Sequence, residues 1–429
     1  MPLKHTVEEI KLDNGIKGLL IDVPDATVVS YNINFRAGND FAKRSAEQTA
    51  HIMEHMVASG QNKHFPDASL FSREFKKNGA YVNATTYPIN MNYVAESAVM
   101  EWDRILDLLK FQITEPIFKQ ERLDSEKGNV QEEMTSYLNN FDRVIYQSVK
   151  KAMHIVDLDW QDRIDTINNV QLVDIEDFYR KTHTLNNMRF TLVGDMSKHK
   201  NDIIEKFKSW DLPSGDRLSI TSVQPQSAPA FNIHRDVPNL TYDLRIAVNR
   251  ALSPYEVIVM KVLNHILVGT FHSRILGAAR HDGIAYHVQS NTFDYPTGLS
   301  EWRINGNVKP DNAKVLFELT VNQLIKVIRH DLSDQELIEA KQSLSVKHQM
   351  RGQTVAGLSG YYAMEYYDFE RIDNMQTYIN QINTVTIDDI TNLAKEFISN
   401  NIWTFGVVGN VSDQQIQQYS DIFSHLFKD

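Results

Sequence analysis

Within a stretch of helical periodicity at 43–59 stands His51-Ile52-Met53-Glu54-His55. At about 100° per residue, histidines four apart lie about 40° from one another on one helix face, one turn apart. Two imidazoles so placed can both reach one tetrahedral Zn²⁺. Glu54 falls about 60° to the other side of His51, close enough to act as base toward a water on that ion. The plainer alternative is a solvated helix face carrying ordinary histidines. Against it, the chain has 15 histidines in 429 residues, so an H-x-x-E-H arises by chance in only roughly a few per cent of such chains.

Cysteine is absent. That excludes thiolate ligands, iron–sulfur clusters, disulfides and cysteine nucleophiles together, so a bound metal must rest on His and carboxylate. A catalytic zinc needs a third protein ligand. The helical pattern around 118–141 offers Glu121, Glu126, Glu132 and Glu133. With Leu123 set at 0°, its apolar residues Val130, Met134, Tyr137, Leu138 and Phe141 fall between about −40° and +60°. Glu126 lies near −60° and Glu133 near −80°, roughly beside that stripe, whereas Glu132 points about 180° away. The wheel selects Glu133 as candidate ligand, with Glu126 two turns earlier as its neighbour. Taken alone, two such glutamates are more commonly just the solvated edge of an amphipathic helix.

The inverted motif and the Glu126-x6-Glu133 pair together resemble the inverzincin metallopeptidases, the family of pitrilysin, insulin-degrading enzyme and the mitochondrial processing peptidase. The resemblance implies that His51, His55 and Glu133 bind Zn²⁺, that Glu54 activates water, and that Glu126 supports the ligands from behind. The 77 residues between His55 and Glu133 suit the family's separation. Gly79-Ala80-Tyr81-Val82-Asn83-Ala84-Thr85-Thr86 resembles the family's edge strand, which assigns substrate-backbone contact to Asn83 and Ala84 by strand addition. Without the resemblance, Asn83 in its Gly/Ala context reads as a turn residue. Ser273-Arg274-Ile275-Leu276 followed by Gly283-Ile284-Ala285-Tyr286 resembles the family's Arg–Tyr segment. This implies that Tyr286 steadies the developing oxyanion and that an arginine anchors substrate. Here the chain departs: Ala279 stands seven before Tyr286, and Arg280 comes one place late, about 100° around a helix. Either Arg280 takes the anchoring role or that role is lost.

Positioning such residues requires a scaffold, and the chain is written twice. Asp174-Ile175, Asn186 and Phe190-Thr191-Leu192-Val193-Gly194-Asp195-Met196-Ser197 recur after a shift of 215 as Asp389-Ile390, Asn401 and Phe405-Gly406-Val407-Val408-Gly409-Asn410-Val411-Ser412. Each copy reads as a helix, a turn, a buried strand ending at glycine, and another helix. Between them, Leu212-Pro213-Ser214-Gly215 and Gln224-Pro225-Gln226-Ser227-Ala228-Pro229 have linker composition. The expected organisation is an N-terminal zinc-binding domain at 1–212, a linker at 213–230, and a homologous C-terminal domain at 231–429. The second copy lacks the metal motif: 215 residues after His51 stands Ile266.

In the first half, Val7, Ile10 and Leu12, a turn at Asp13-Asn14-Gly15, and Leu19-Leu20-Ile21 predict a hairpin. A further strand is expected at 28–35, and helices at 67–78, 99–113 and 118–150. Strands cluster and helices cluster, which gives an α+β fold of two tandem domains, each a mainly antiparallel sheet packed with helices.

A formal net charge of −11 argues against a phosphate-tracking nucleic-acid binder. No apolar run approaches the roughly 18–20 residues that span a bilayer, and the N-terminal residues lack a secretory pattern, so a cytoplasmic protein is expected. The resulting expectation is a zinc-dependent endopeptidase acting on peptides or unfolded segments, in a chamber formed by pairing as a homodimer or with a related subunit. The alternative is a non-catalytic or partner-dependent subunit of a processing-peptidase-like heterodimer.

Overall fold

The structure, a computed structural model, describes residues 2–428. It contains two sheets. The first comprises β1 (Thr6–Lys11), β2 (Lys17–Asp22), β3 (Val28–Phe35), β4 (Tyr81–Thr86), β5 (Met91–Ala98) and β6 (Met188–Gly194), in the order β1-β2-β6-β3-β5-β4. The second comprises β7 (Phe231–His234), β8 (Leu240–Val248), β9 (His287–Tyr295), β10 (Leu299–Val308) and β11 (Ile402–Gly409), in the order β7-β11-β8-β10-β9. Neighbours are antiparallel except β2 with β6 and β7 with β11. The fold is α+β, two sheets each packed with helices.

The β1–β2 hairpin turns where the sequence places it. Gly15 adopts φ +97°, and a Cβ there would meet the Asn186 side chain, so glycine is required on two counts. The repeat is also real in three dimensions. Helices Leu172–Thr182 and Ile387–Ser399 each carry a capping box, with Asp174 and Asp389 at equivalent positions. Each leads into a buried central strand, β6 and β11.

One expected helix is two. Helix Gln120–Tyr137 ends, and Phe141–Ala152 begins with Asn140 capping by accepting from the Arg143 N–H. Asn139-Asn140 favours a cap over a continued helix. The expected 99–113 helix begins as a single 3₁₀ turn, Val99–Glu101, and continues as Trp102–Thr114.

Residues 210–230 carry no helix or strand, and the strands divide on either side of them. The compact units nevertheless interleave along the chain. The first comprises Met1–Thr135, Asp162–Ile220 and Gln349–Asp373, and the second Ser136–Gln161, Thr221–His348 and Asn374–Asp429. Helix Val355–Phe369 covers β3 and β6 in the first unit, and Phe141–Ala152 covers β8 and β11 in the second. A boundary drawn at the linker alone misses this exchange, because amphipathic helices do not state which sheet they cover. The core of the second unit gathers Trp302, Phe317, Phe397, Phe405 and Phe423. No helix among the described residues is long and apolar enough to cross a membrane.

Candidate metal centre

Helix Thr49–Ala58 presents His51 and His55 on one face, and helix Gln120–Tyr137 presents Glu133 toward them. One ligand atom from each of the three lies within 4.8 Å of the others. Glu133 Oε2 is 3.6 Å from His51 Nε2 and 3.5 Å from His55 Nε2. Donors bound tetrahedrally to one zinc at about 2.0–2.2 Å stand about 3.3–3.6 Å apart. A His₂Glu set at this spacing fits a zinc-sized ion with little movement.

Behind the ligands, Glu126 is almost wholly buried. Its Oε2 accepts from His55 Nδ1 at 3.0 Å and from Asn129 Nδ2 at 2.9 Å, and its Oε1 pairs with Arg122. A carboxylate on Nδ1 places the proton there and turns Nε2 toward Glu133. Glu54 shares the helix face and is buried, its Oε2 accepting from Thr86 Oγ1 at 3.1 Å.

The electrostatics follow from burial and neighbours. Burial, then the adjacent His55, hold the His51 imidazole down at about 4, so it is neutral at pH 7. For His55 burial works downward, but hydrogen bonds to Glu126 and then Glu133 lift it to about 10. Metal binding must displace that proton, as for any histidine ligand. Burial pushes the Glu54 carboxyl up to about 7, with His55 and Thr86 pulling the other way.

The substrate residues expected from the sequence lie as follows. Asn83 and Ala84 sit on β4, the edge of the first sheet, paired on one side only, with Val94 and Tyr93. Thr86, which holds Glu54, ends the same strand. The unpaired side of β4 can accept an added strand beside the cluster.

In the second unit, Ala279 is fully buried, and its carbonyl accepts the N–H groups of Ile284 and Ala285. An arginine side chain has no room there. Arg280 follows at the surface, its guanidinium between the rings of Phe271 (4.4 Å) and Tyr286 (4.1 Å), with Nη1 donating to the Tyr286 carbonyl at 3.3 Å. Arg280 and Tyr286 are therefore brought together, and Tyr286 is 77% exposed.

Sequence reasoning missed Gln48, Glu47 and Arg163 behind His51, and Thr86, Arg122 and Asn129 around the glutamates. Arg122 and Asn129, spaced at four and three from Glu126 on one helix, carried a usable signal. Thr86 and Arg163 arrive from distant segments and carried none.

The cluster and the two sheets define a two-domain α+β protein whose first helix and helix Gln120–Tyr137 bring together a histidine–carboxylate set that could hold a metal ion. Residues 19–157 match the model described as insulinase (peptidase family M16), and residues 169–344 the model described as peptidase M16 inactive domain. The chain belongs to the M16 peptidase family, as a short two-domain member. It is 22% identical over 412 residues to an "uncharacterized zinc protease" of Rickettsia felis, covering 95% of this chain and 98% of the relative. It is 20% identical to the "non-peptidase homolog YmxG" of Helicobacter pylori, covering 88% of each. The crystal structure of a protease from Helicobacter pylori superimposes with a TM-score of 0.83 at 18% identity, covering 95% of this chain and all of the other.

Proposed function

We propose that this chain is a zinc-dependent endopeptidase acting on peptides or unfolded segments. The observation that carries the reading is the cluster of His51 and His55 with Glu133 from helix Gln120–Tyr137, beside the buried Glu54 of the histidines' own helix. The donor set fits zinc. When bound, the ion supplies Lewis acidity toward a carbonyl and toward water. His51, His55 and Glu133 hold it, and Glu126 keeps His55 in the ligating tautomer. Glu54 takes a proton from the attacking water and returns it to the leaving amine. Thr86 engages Oε2, which leaves Oε1 for that transfer. Extended substrate adds to β4 along Asn83 and Ala84, Arg280 anchors its backbone, and Tyr286 donates to the oxyanion. The working form is a dimer, with a second copy or a related subunit, for which light scattering should give about twice the 49.4 kDa chain mass.

A second reading, a non-catalytic or partner-dependent subunit, draws on the likeness to a non-peptidase homolog. The "inactive domain" match lies at 169–344, outside His51, Glu54 and His55. Cleavage of a quenched fluorescent peptide mixture by the zinc-loaded chain, beside Glu54→Gln, separates the two. The proposal expects turnover to fall by about 10²–10⁴ in the variant with zinc retained. A wild type that holds zinc yet cleaves nothing places the second reading first.

A further inference from the structure

We infer that Gln48 is a positioning residue for the metal ligand His51, and that Glu47 and Arg163 fix which way round its amide stands; this rests on the metal-centre reading above. Gln48 occupies the N-cap of helix Thr49–Ala58, where Ser, Thr, Asp or Asn is preferred, and its side chain caps nothing. It is instead 1% exposed and spent on two other groups. Its Oε1 stands 3.1 Å from His51 Nδ1, and its Nε2 donates to Glu47 Oε2.

The direction of each bond follows from the groups available. A carboxylate can only accept, so Glu47 must face the amide nitrogen, and the amide oxygen must then face His51. An acceptor at Nδ1 puts the imidazole proton on Nδ1. It leaves the Nε2 lone pair toward Glu133, 3.6 Å away. The amide keeps this orientation while Glu47 accepts. Burial raises the Glu47 carboxyl above its usual range, while Arg163 Nη2, 3.3 Å from Oε1, and then the Gln48 amide pull it back toward the charged, accepting form. Arg163 itself is 9% exposed, on helix Trp160–Thr166.

The two histidines thus have separate supports. His55 leans on a carboxylate held by Arg122 and Asn129, and His51 on an amide held by a carboxylate and Arg163. Outer partners of this kind typically set metal affinity by about 10–100-fold.

The test measures zinc dissociation constants of the full chain by competition with a chromophoric chelator, together with the visible spectrum of the cobalt-substituted protein. Gln48→Met keeps the length and removes the acceptor. It should bind zinc about 10–100-fold more weakly and alter the cobalt bands, with Glu54 and Glu126 untouched. Glu47→Gln keeps an oxygen but frees the amide to turn, and should lose a smaller factor; it carries the test if Gln48→Met does not fold. Wild-type affinity and an unchanged cobalt spectrum in a folded Gln48→Met or Glu47→Gln overturn this inference alone. A wild-type chain that takes up no zinc overturns the metal-centre reading and this inference with it.

Discussion

The two sheets are built on one plan and held together by different chemistry. In the first, Asn34 on β3 faces Asn92 on β5, and under helix Val355–Phe369 these two strands are linked by neutral amides, while Arg189 on β6, opposite Asn34, pairs with Glu370 at the end of that helix. Asn34 Nδ2 donates to Asn92 Oδ1 at 2.8 Å and to Asn90 Oδ1 at 3.1 Å, and Asn90 donates in turn to Asp368. In the second, Arg245 on β8 faces Arg303 on β10 in the equivalent register, under helix Phe141–Ala152. There Asp243 and Glu301 are fully buried and pair with the two arginines, and Asp142 from the covering helix reaches Arg303 at 2.9 Å. The Tyr146 ring lies 4.8 Å and 4.9 Å from the two guanidiniums. One topology tolerates an amide cluster or an ionic lattice on the same face, but the lattice makes each member indispensable to the others. Buried charges are costly unless every partner is present.

The same contrast holds for the first long helix of each half. Thr49–Ala58 carries the two histidines of the candidate metal site. Pro254–Val268 is packed with Ile258, Val262, Leu263, Ile266 and Leu267 and carries no such set. The sharpest way to break the comparison is metal loading. Glu133→Ala should weaken zinc by more than about a hundredfold, since removing a ligand exceeds the cost of removing its support. Elemental analysis of the wild type should find one zinc per chain; two would show that the second half also binds.

Next in size is the response of the two sheets to losing one polar partner. Asp243→Ala leaves two buried arginines short of charge and should cost about 3–5 kcal/mol in urea unfolding. Asn92→Ala leaves Asn34 its bond to Asn90 and should cost about 1 kcal/mol. Equal losses would remove the distinction.

Two carboxylates, one from each half, also shift in opposite senses. Burial holds Glu54 up at about 7, whereas for Glu336 burial is outweighed by Arg274 and Ser333, which hold it down at about 2. Arg274 grips Glu336 at 2.5 Å and 2.7 Å. Glu336 thus has a lower pKa folded than unfolded, so its stabilisation is full above about pH 4.5 and fades as pH falls toward 2. Glu336→Gln should be destabilising at pH 7 and match the wild type near pH 2, read by thermal unfolding across that range. A difference that is constant with pH would assign the effect to packing. Smallest are the helix caps, where Asp174 also pairs with Lys43 and Asp389 also accepts from Tyr255. Asp174→Ala and Asp389→Ala should each cost about 1 kcal/mol, and a clear inequality would mean the repeat is not equivalent there.

Local chemistry made much of this readable from the chain. The H-x-x-E-H spacing specifies a shared helix face and Asp13-Asn14-Gly15 a hairpin, because each depends on residues within a turn or two of one another, and the 215-residue repeat marks two α+β halves because the same local pattern recurs. The wheel singled out Glu133 and Glu126 for the same reason, although it ran the helix through Asn139-Asn140, where capping interrupts it. Which helix covers which sheet depended on the fold, since segments 136–161 and 349–373 cross to the other half's unit without any local mark. So did the company kept by the metal ligands. Thr86 reaches Glu54 from 32 residues away and Arg163 reaches Glu47 from beyond a hundred. Sequence by itself determined the ligand types and their helical spacing. Only tertiary structure decided their burial, and the partners that reach them from distant segments, because those depend on through-space neighbours that no local periodicity encodes.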